Sequence, residues 1–258
     1  MIPLSSGSIT IDALNLSTNK IPLSRRIFNV IPQDPFFIPN ATLAFNLDPF
    51  SYLSHLSEAE AKEKMESVLR LVTLFPGRVT ASNGLEQGQG QKSGQKTTLD
   101  TELIPSEWSV GELQLLALAR AVLMKGHTKI LVLDEATSSV DEKTEKVMQE
   151  VIEGEFAEHT VIAVVHRLTY IERFDLVAVL KGGEMVEFGK PWGPGGLVER
   201  ALESRGRGQG RGEGRVEGQG EGEGEGKGGG SVSESVFGEL YKGFYHQGSG
   251  NDASGWRG

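Results

Sequence analysis

The run I-L-V-L-D-E at residues 130–135 constrains this chain more than any other stretch. Four apolar residues in succession offer no face to water, so a strand built from them is buried on both sides. Strands of that kind belong to parallel sheets covered by helices. Asp134 and Glu135 then fall at its carboxyl end, the edge where open α/β sheets hold their ligands. Residues 161–165 (V-I-A-V-V) repeat the pattern and lead directly into His166. A third strand is expected over 26–31 (R-I-F-N-V-I), stopped by Pro32, with Gln33 just beyond it. If the three run parallel, Gln33, Asp134, Glu135 and His166 converge on one rim. An amide, two carboxylates and an imidazole suit a metal–triphosphate site, with one carboxylate on the metal and the next orienting or deprotonating an attacking water.

Amphipathic helices alternate with these runs, as a doubly covered sheet requires. One begins at Ser57, where Ser57 and Glu60 have capping-box spacing and Met65, Val68, Leu69 and Val72 share a face; Pro76-Gly77 is expected to end it. A second spans 109–124 with Leu113, Leu116, Ala117 and Leu123 apolar, and a third 141–158 with Val147, Val151, Ile152 and Phe156. Residues 8–12 (S-I-T-I-D) alternate like a half-buried strand, the proline-rich stretch 32–49 is expected to be an ordered loop, and 176–180 with 184–188 form a hairpin about Lys181-Gly182-Gly183.

Composition narrows the chemistry. The 258 residues contain no cysteine, so disulfides, Cys-ligated zinc and a thiol nucleophile are excluded. A formal charge of −9 argues against backbone-phosphate recognition, and no nucleic-acid partner is expected. No run approaches the ~20 apolar residues that cross a bilayer and no signal peptide opens the chain, so a soluble, intracellular chain is expected. Most of the excess among 34 glycines lies in 205–230, where Gly alternates with Glu, Arg and Gln. Disorder is expected over 201–234, and a flexible insertion over 84–96. Residues 235–246 (S-V-F-G-E-L-Y-K-G-F-Y-H) recover an apolar pattern, so the tail 235–258 is expected to dock through a short helix.

Taken singly, the motifs have plainer readings. Asp134-Glu135 is also an acidic strand end before a helix, and His166 alone is an ordinary surface residue. Ser109 and Glu112 have capping-box spacing, which accounts for both structurally. A helix opening S-x-G also presents free amides and a positive dipole end to a phosphate, and the two readings are compatible.

Together the segments resemble the nucleotide-binding domain of ATP-binding cassette (ABC) transporters, most closely the second such domain of the C subfamily, the multidrug-resistance-associated type. I-P-Q-D-P at 31–35 looks like the Q-loop, A-T-L-A-F-N-L-D-P-F at 41–50 like a subfamily segment, and S-V-G-E-L at 109–113 like the signature. Residues 130–135 resemble Walker B, S-S-V-D at 138–141 the D-loop, His166 the H-loop, and V-E-F-G-K-P-W at 186–192 the subfamily's closing strand. The resemblance implies an α/β fold: a partial P-loop NTPase (ABC ATPase) sheet flanked by helices over 1–200, with a helical subdomain at about 38–124. It implies ATP and Mg2+ as cofactors. Gln33 would ligate the metal and sense the membrane domain, Asp134 would hold the metal through water, Glu135 would be the general base, and His166 would contact the γ-phosphate. Ser109 and Gly111, in the signature that includes Glu112, would meet a nucleotide held by a partner domain, and Asp141 would communicate across that interface. The implied partners are a second nucleotide-binding domain, head to tail, and the transmembrane domains of an exporter of organic anions or drugs, at the cytoplasmic face of a membrane.

Two departures stand out. The phosphate loop G-x-x-x-x-G-K-[ST] does not occur in these residues, nor does the strand whose aromatic residue stacks on adenine. The chain is therefore expected to start just after the phosphate-loop helix, as a truncation, a partial gene model or a degenerate copy, with an incomplete sheet and an exposed edge. Each charge-assisted hydrogen bond lost with the loop is worth roughly 1.5–3 kcal/mol, so the chain alone is expected neither to bind nor to hydrolyse ATP appreciably. A non-catalytic remnant that pairs with an intact domain through its signature helix is the alternative. The second departure is Glu112 where the signature has Gln. A carboxylate aimed forward repels phosphate; turned back onto Ser109 it leaves the site usable.

Overall fold

The computed structural model describes residues 6–12, 14–16, 27–75, 78–79, 98–166, 171–200 and 236–237. The chain divides into two units, residues 1–166 and 167–258. The insertion expected at 84–96 and the segment 201–234 lie outside the described residues.

In the first unit, β1 (Thr10–Ile11) and β2 (Leu14–Asn15) form a two-residue antiparallel hairpin. The strand expected over 8–12 is thus cut short at Asp12, whose φ of +45° turns the chain. The sheet that matters is made of β3 (Phe28–Ile31), β4 (Ile130–Asp134) and β5 (Thr160–Val164), parallel and in that order. One face is packed: Asn29, Ile31, Leu131 and Leu133 are buried. The alternate residues are not, with Val30 at 53%, Ile162 at 49% and Val164 at 48% exposure. The expectation of cover on both sides therefore holds for one face among the described residues. An apolar run records what each face of a strand is suited to, not which element lies against it.

The proline-rich stretch is more ordered than a loop. It contains a short helix, α1 (Leu43–Leu47), capped by the Thr42 hydroxyl accepting from the Phe45 amide. Asn46, fully buried, makes the stretch possible: its Oδ1 accepts from Ile38 N at 2.7 Å and its Nδ2 donates to the Ile38, Ala41 and Thr42 carbonyls. Asp48 then accepts from the amides of Tyr52 and Leu53, each at 2.8 Å. Helix α2 (Glu58–Leu71) has the expected Ser57–Glu60 capping box. It ends before Pro76, because Thr73 at φ +63° lets the Leu74 and Phe75 amides both close on the Leu69 carbonyl.

Helix α3 (Val110–Met124) runs through the core, with Leu116, Leu118 and Ala119 fully buried. Helix α4 (Glu142–Glu155) stops short of residue 158 because the chain turns at Phe156, its C-cap, to enter β5. The Phe156 ring is buried and meets the His159 ring edge-on.

In the second unit, β6 (Val177–Lys181) and β7 (Glu184–Gly189) pair antiparallel. Gly182 and Gly183 have φ of +62° and +87°, the left-handed pair a two-residue hairpin turn demands. Ile171, Val179, Leu197, Val198 and Phe237 form this unit's core, and the Phe237 amide donates to Glu187 at 2.9 Å. Of the tail, only Val236 and Phe237 are described, in helical conformation. No helix among the described residues is long and apolar enough to cross a membrane.

Candidate functional site

The register of the sheet builds the site. Ile31, Leu133 and Ala163 lie side by side, and Asp134 pairs with Val164. Gln33, Asp134, Glu135 and His166 therefore all leave the carboxyl ends of three adjacent parallel strands, on one border as the sequence suggests. The Glu135 amide donates to the Val164 carbonyl at 3.1 Å, extending the β4–β5 ladder by one bond. Glu135 takes a left-handed conformation, φ +50°, which costs a residue with a Cβ of the order of 1 kcal/mol. In that conformation its Oε1 lies 2.8 Å from His166 Nε2. An ionised carboxylate can only accept, so Nε2 is the donor. Gln33 is exposed and Asp134 is exposed at the end of β4.

The N-terminus of α3 lies in the same unit. Ser109 is its N-cap, accepting from the Glu112 amide at 3.2 Å, and Glu112 Oε2 turns back to accept from Ser109 N at 2.8 Å and Ser109 Oγ at 3.0 Å. The carboxylate is thus folded onto the cap. The amides of Val110 and Gly111 have no intrahelical carbonyl to reach. Asp141 caps α4 in the same manner, accepting from Thr144 N at 3.1 Å and Thr144 Oγ1 at 2.7 Å. The Thr144 hydroxyl and amide hold its carboxyl below the ordinary aspartate range. The two helix starts nearly touch: a Cβ on Gly111 would meet Thr144 Oγ1 at 3.3 Å and Asp141 Oδ2 at 3.7 Å. Gly111 is small because α4 passes there.

Periodicity missed a further set of polar residues on and beside α3. Gln114, buried to 1% exposure, donates from Nε2 to the carbonyls of Pro32 at 3.2 Å and Gln33 at 2.5 Å. Arg120 donates to the carbonyls of Asn46 at 2.8 Å and Phe36 at 3.1 Å, with its guanidinium over the Phe37 ring. Asn29, on β3, donates to the Ala121 carbonyl at 2.8 Å. The signal for Gln114 is its place, a single amide inside the apolar run L-Q-L-L.

These residues fit one half of a metal–triphosphate ligand. The Gln33 amide oxygen and the Asp134 carboxylate are hard oxygen donors on neighbouring strand ends, the donor type Mg2+ takes. The triphosphate half lacks its counter-charge: segments 33–35 and 134–141, with His166, contain no lysine or arginine and carry four carboxylates, Asp34, Asp134, Glu135 and Asp141.

A sequence profile described as ABC transporter matches residues 1–138. The chain is 35% identical over 210 residues to ABC transporter C family member 3 of Dictyostelium discoideum, covering 80% of this chain and 13% of that protein. It is 37% identical over 199 residues to the oligomycin resistance ATP-dependent permease YOR1 of Saccharomyces cerevisiae, 73% and 12% of the two chains. Multidrug resistance protein mrp-7 of Caenorhabditis elegans is 37% identical over 191 residues, 74% of this chain and 11% of that protein. The chain thus spans about an eighth or less of the length of these relatives. Among solved structures, a bacterial Atm1-family ABC exporter with ATP bound is similar with a TM-score of 0.57 at 25% identity, covering 72% of this chain and 29% of that one.

Proposed function

The chain belongs to the ABC transporter family, and from that premise we propose that it provides the hydrolytic border of a nucleotide site in an exporter of organic anions or drugs. Its fold is that of an ABC ATPase domain. We assign residues 1–200 to a partial nucleotide-binding domain, with the helical subdomain over 38–124, in the position of the second such domain of a C-family transporter. The segment 201–234 is read as a disordered Gly/Glu/Arg tract and 235–258 as a tail. The observation that carries the reading is the Glu135–His166 contact beside Asp134 and Gln33 at the ends of three parallel strands.

In this reading Glu135 takes the proton of the attacking water and His166 holds the carboxylate in place until the γ-phosphate arrives. Gln33 and Asp134 hold Mg2+. No residue of this chain is assigned to the phosphate-binding loop, whose G-x-x-x-x-G-K-[ST] pattern does not occur among the 258. The chain works at the cytoplasmic face of a membrane, against transmembrane domains and a second nucleotide-binding domain.

The test uses these residues joined to a phosphate loop and paired with a partner domain whose own site has been inactivated, so that the turnover read is that of the Glu135 border. Glu135→Gln and His166→Ala should each lower hydrolysis by about 10²-fold or more, the scale of a lost general base; unchanged turnover overturns the assignment. Calorimetry on the chain alone should detect no tight, Mg2+-dependent ATP binding.

A second reading has its own observation. The Glu112 carboxylate is folded onto Ser109 rather than pointing along the helix axis, which suits a chain that lends only Ser109 and Gly111, with Asp141, to a nucleotide held by its partner. Glu112→Gln should then leave trans-site hydrolysis unchanged, whereas a marked gain shows that the carboxylate obstructs phosphate.

A further inference from the structure

The segment that carries Gln33 is poor in hydrogen-bond donors. Pro32, Pro35 and Pro39 lack an amide hydrogen, so three of the eleven residues between β3 and α1 bring a carbonyl and no donor. Side chains of α3 answer carbonyls of this run at two points. Gln114 Nε2 binds the carbonyls of Pro32 and Gln33, and Arg120 binds the carbonyl of Phe36.

We propose that Gln114 is a positioning residue: by gripping the backbone at Gln33 it presents the Gln33 side chain at the strand-end border beside Asp134, with Arg120 fixing the far end of the loop. The proposal rests on the metal-binding role assigned to Gln33 above. Chemistry sets the orientation of Gln114, because only an amide nitrogen can face two carbonyls. Its Oε1 is buried without a partner among the described residues. The bond is to the main chain, so the exposed Gln33 side chain stays available to a ligand. Gln114 also stands five residues after Ser109, about 7.5 Å along the helix axis. The rod that grips the Gln33 loop is thus the one whose first turn holds the signature cap, and a displacement of either bears on the other.

The test is nuclear magnetic resonance on the whole chain. In the native protein, a scalar coupling across the hydrogen bond should join Gln114 Nε2 to the carbonyl carbon of Gln33; its absence overturns the proposal without any substitution. In Gln114→Met, backbone order parameters at Gln33 and Asp34 should fall from about 0.85 to below about 0.6, while the β6–β7 hairpin keeps its values. Gln114→Glu separates gripping from packing. Burial raises a carboxyl pKa, so the neutral acid donates to the Gln33 carbonyl at low pH and the loop is ordered. On ionisation the charge faces the carbonyls and the order at Gln33 is lost. A residue that only packs gives no such pH dependence, and a loop that stays rigid in both variants overturns the proposal. Gln33→Ala distinguishes failure of the underlying reading: it leaves the Gln114 bond in place, so loop order kept with hydrolysis unimpaired in the assembled protein removes the role of Gln33 alone.

Discussion

Glu135 combines two properties that ordinarily conflict, the carboxylate we propose as the general base and a backbone conformation suited to glycine. At φ +50° a Cβ is strained, so Glu135→Gly should be more stable than Glu135→Ala by about 1 kcal/mol, both having lost the carboxylate and its bond to His166. Urea denaturation of the two variants checks this, and equal midpoints would mean that the strain is absent. Asp141 makes a prediction in pH. Its folded pKa is depressed by Thr144, so its contribution to stability is complete above the ordinary aspartate pKa of about 3.9 and is lost as the pH falls through the lower, folded value. Glu60, held down by Ser57, acts in the same direction. Between pH 7 and pH 3 the denaturation midpoint should fall less steeply in Asp141→Asn, where the amide still caps the helix but does not titrate.

Among elements, the close approach of the α3 and α4 starts is the contact most open to test. Gly111→Ala should gain helix propensity, up to about 1 kcal/mol. The gain is cancelled because the new methyl meets Thr144 Oγ1, which cannot yield while it is bonded to Asp141 at 2.7 Å. In a Thr144→Ala background the same change should stabilise. A double-mutant cycle should therefore show a coupling of about 0.5 kcal/mol or more, and strict additivity would refute the contact. The elements were legible in the sequence wherever their determinants are local. The capping boxes at Ser57 and Ser109 and the Gly182-Gly183 turn each depend on residues a few positions apart, and all three form as read. Helix α1 was not legible, because it depends on Asn46 bonding back to Ile38 and Ala41 and on a tertiary ladder from the Leu43 and Ala44 amides to Thr101 and Leu99. The early stop of α2 escaped for a different reason: proline marks where a helix cannot continue, not where it must have ended.

At the scale of the whole molecule, the face of the parallel sheet that no described element packs against is the main liability. Val30, Ile162 and Val164 present apolar surface on strands suited to cover on both sides, and β5 is an edge of the three-stranded sheet. The purified chain should self-associate through this face. Ile162→Lys should raise the monomer fraction in sedimentation velocity while changing stability by no more than about 0.5 kcal/mol, because the replaced side chain is half exposed already. A parent chain that sediments as a monomer at every concentration would refute this.

The three parallel strands to within a residue or two, the order of the polar residues along the chain and the capping boxes at Ser57 and Ser109 were determined by the sequence alone, since each follows from apolar runs, prolines and short-range spacing. Only the tertiary structure decided that Glu135 adopts a left-handed backbone to reach His166, that Gln114 and Arg120 hold the Gln33 loop by its carbonyls, and that, among the described residues, one face of the sheet is packed and the other is not. Those features depend on groups far apart in sequence and brought together by packing. A pattern confined to neighbouring residues carries no information about which distant carbonyl a buried amide will find.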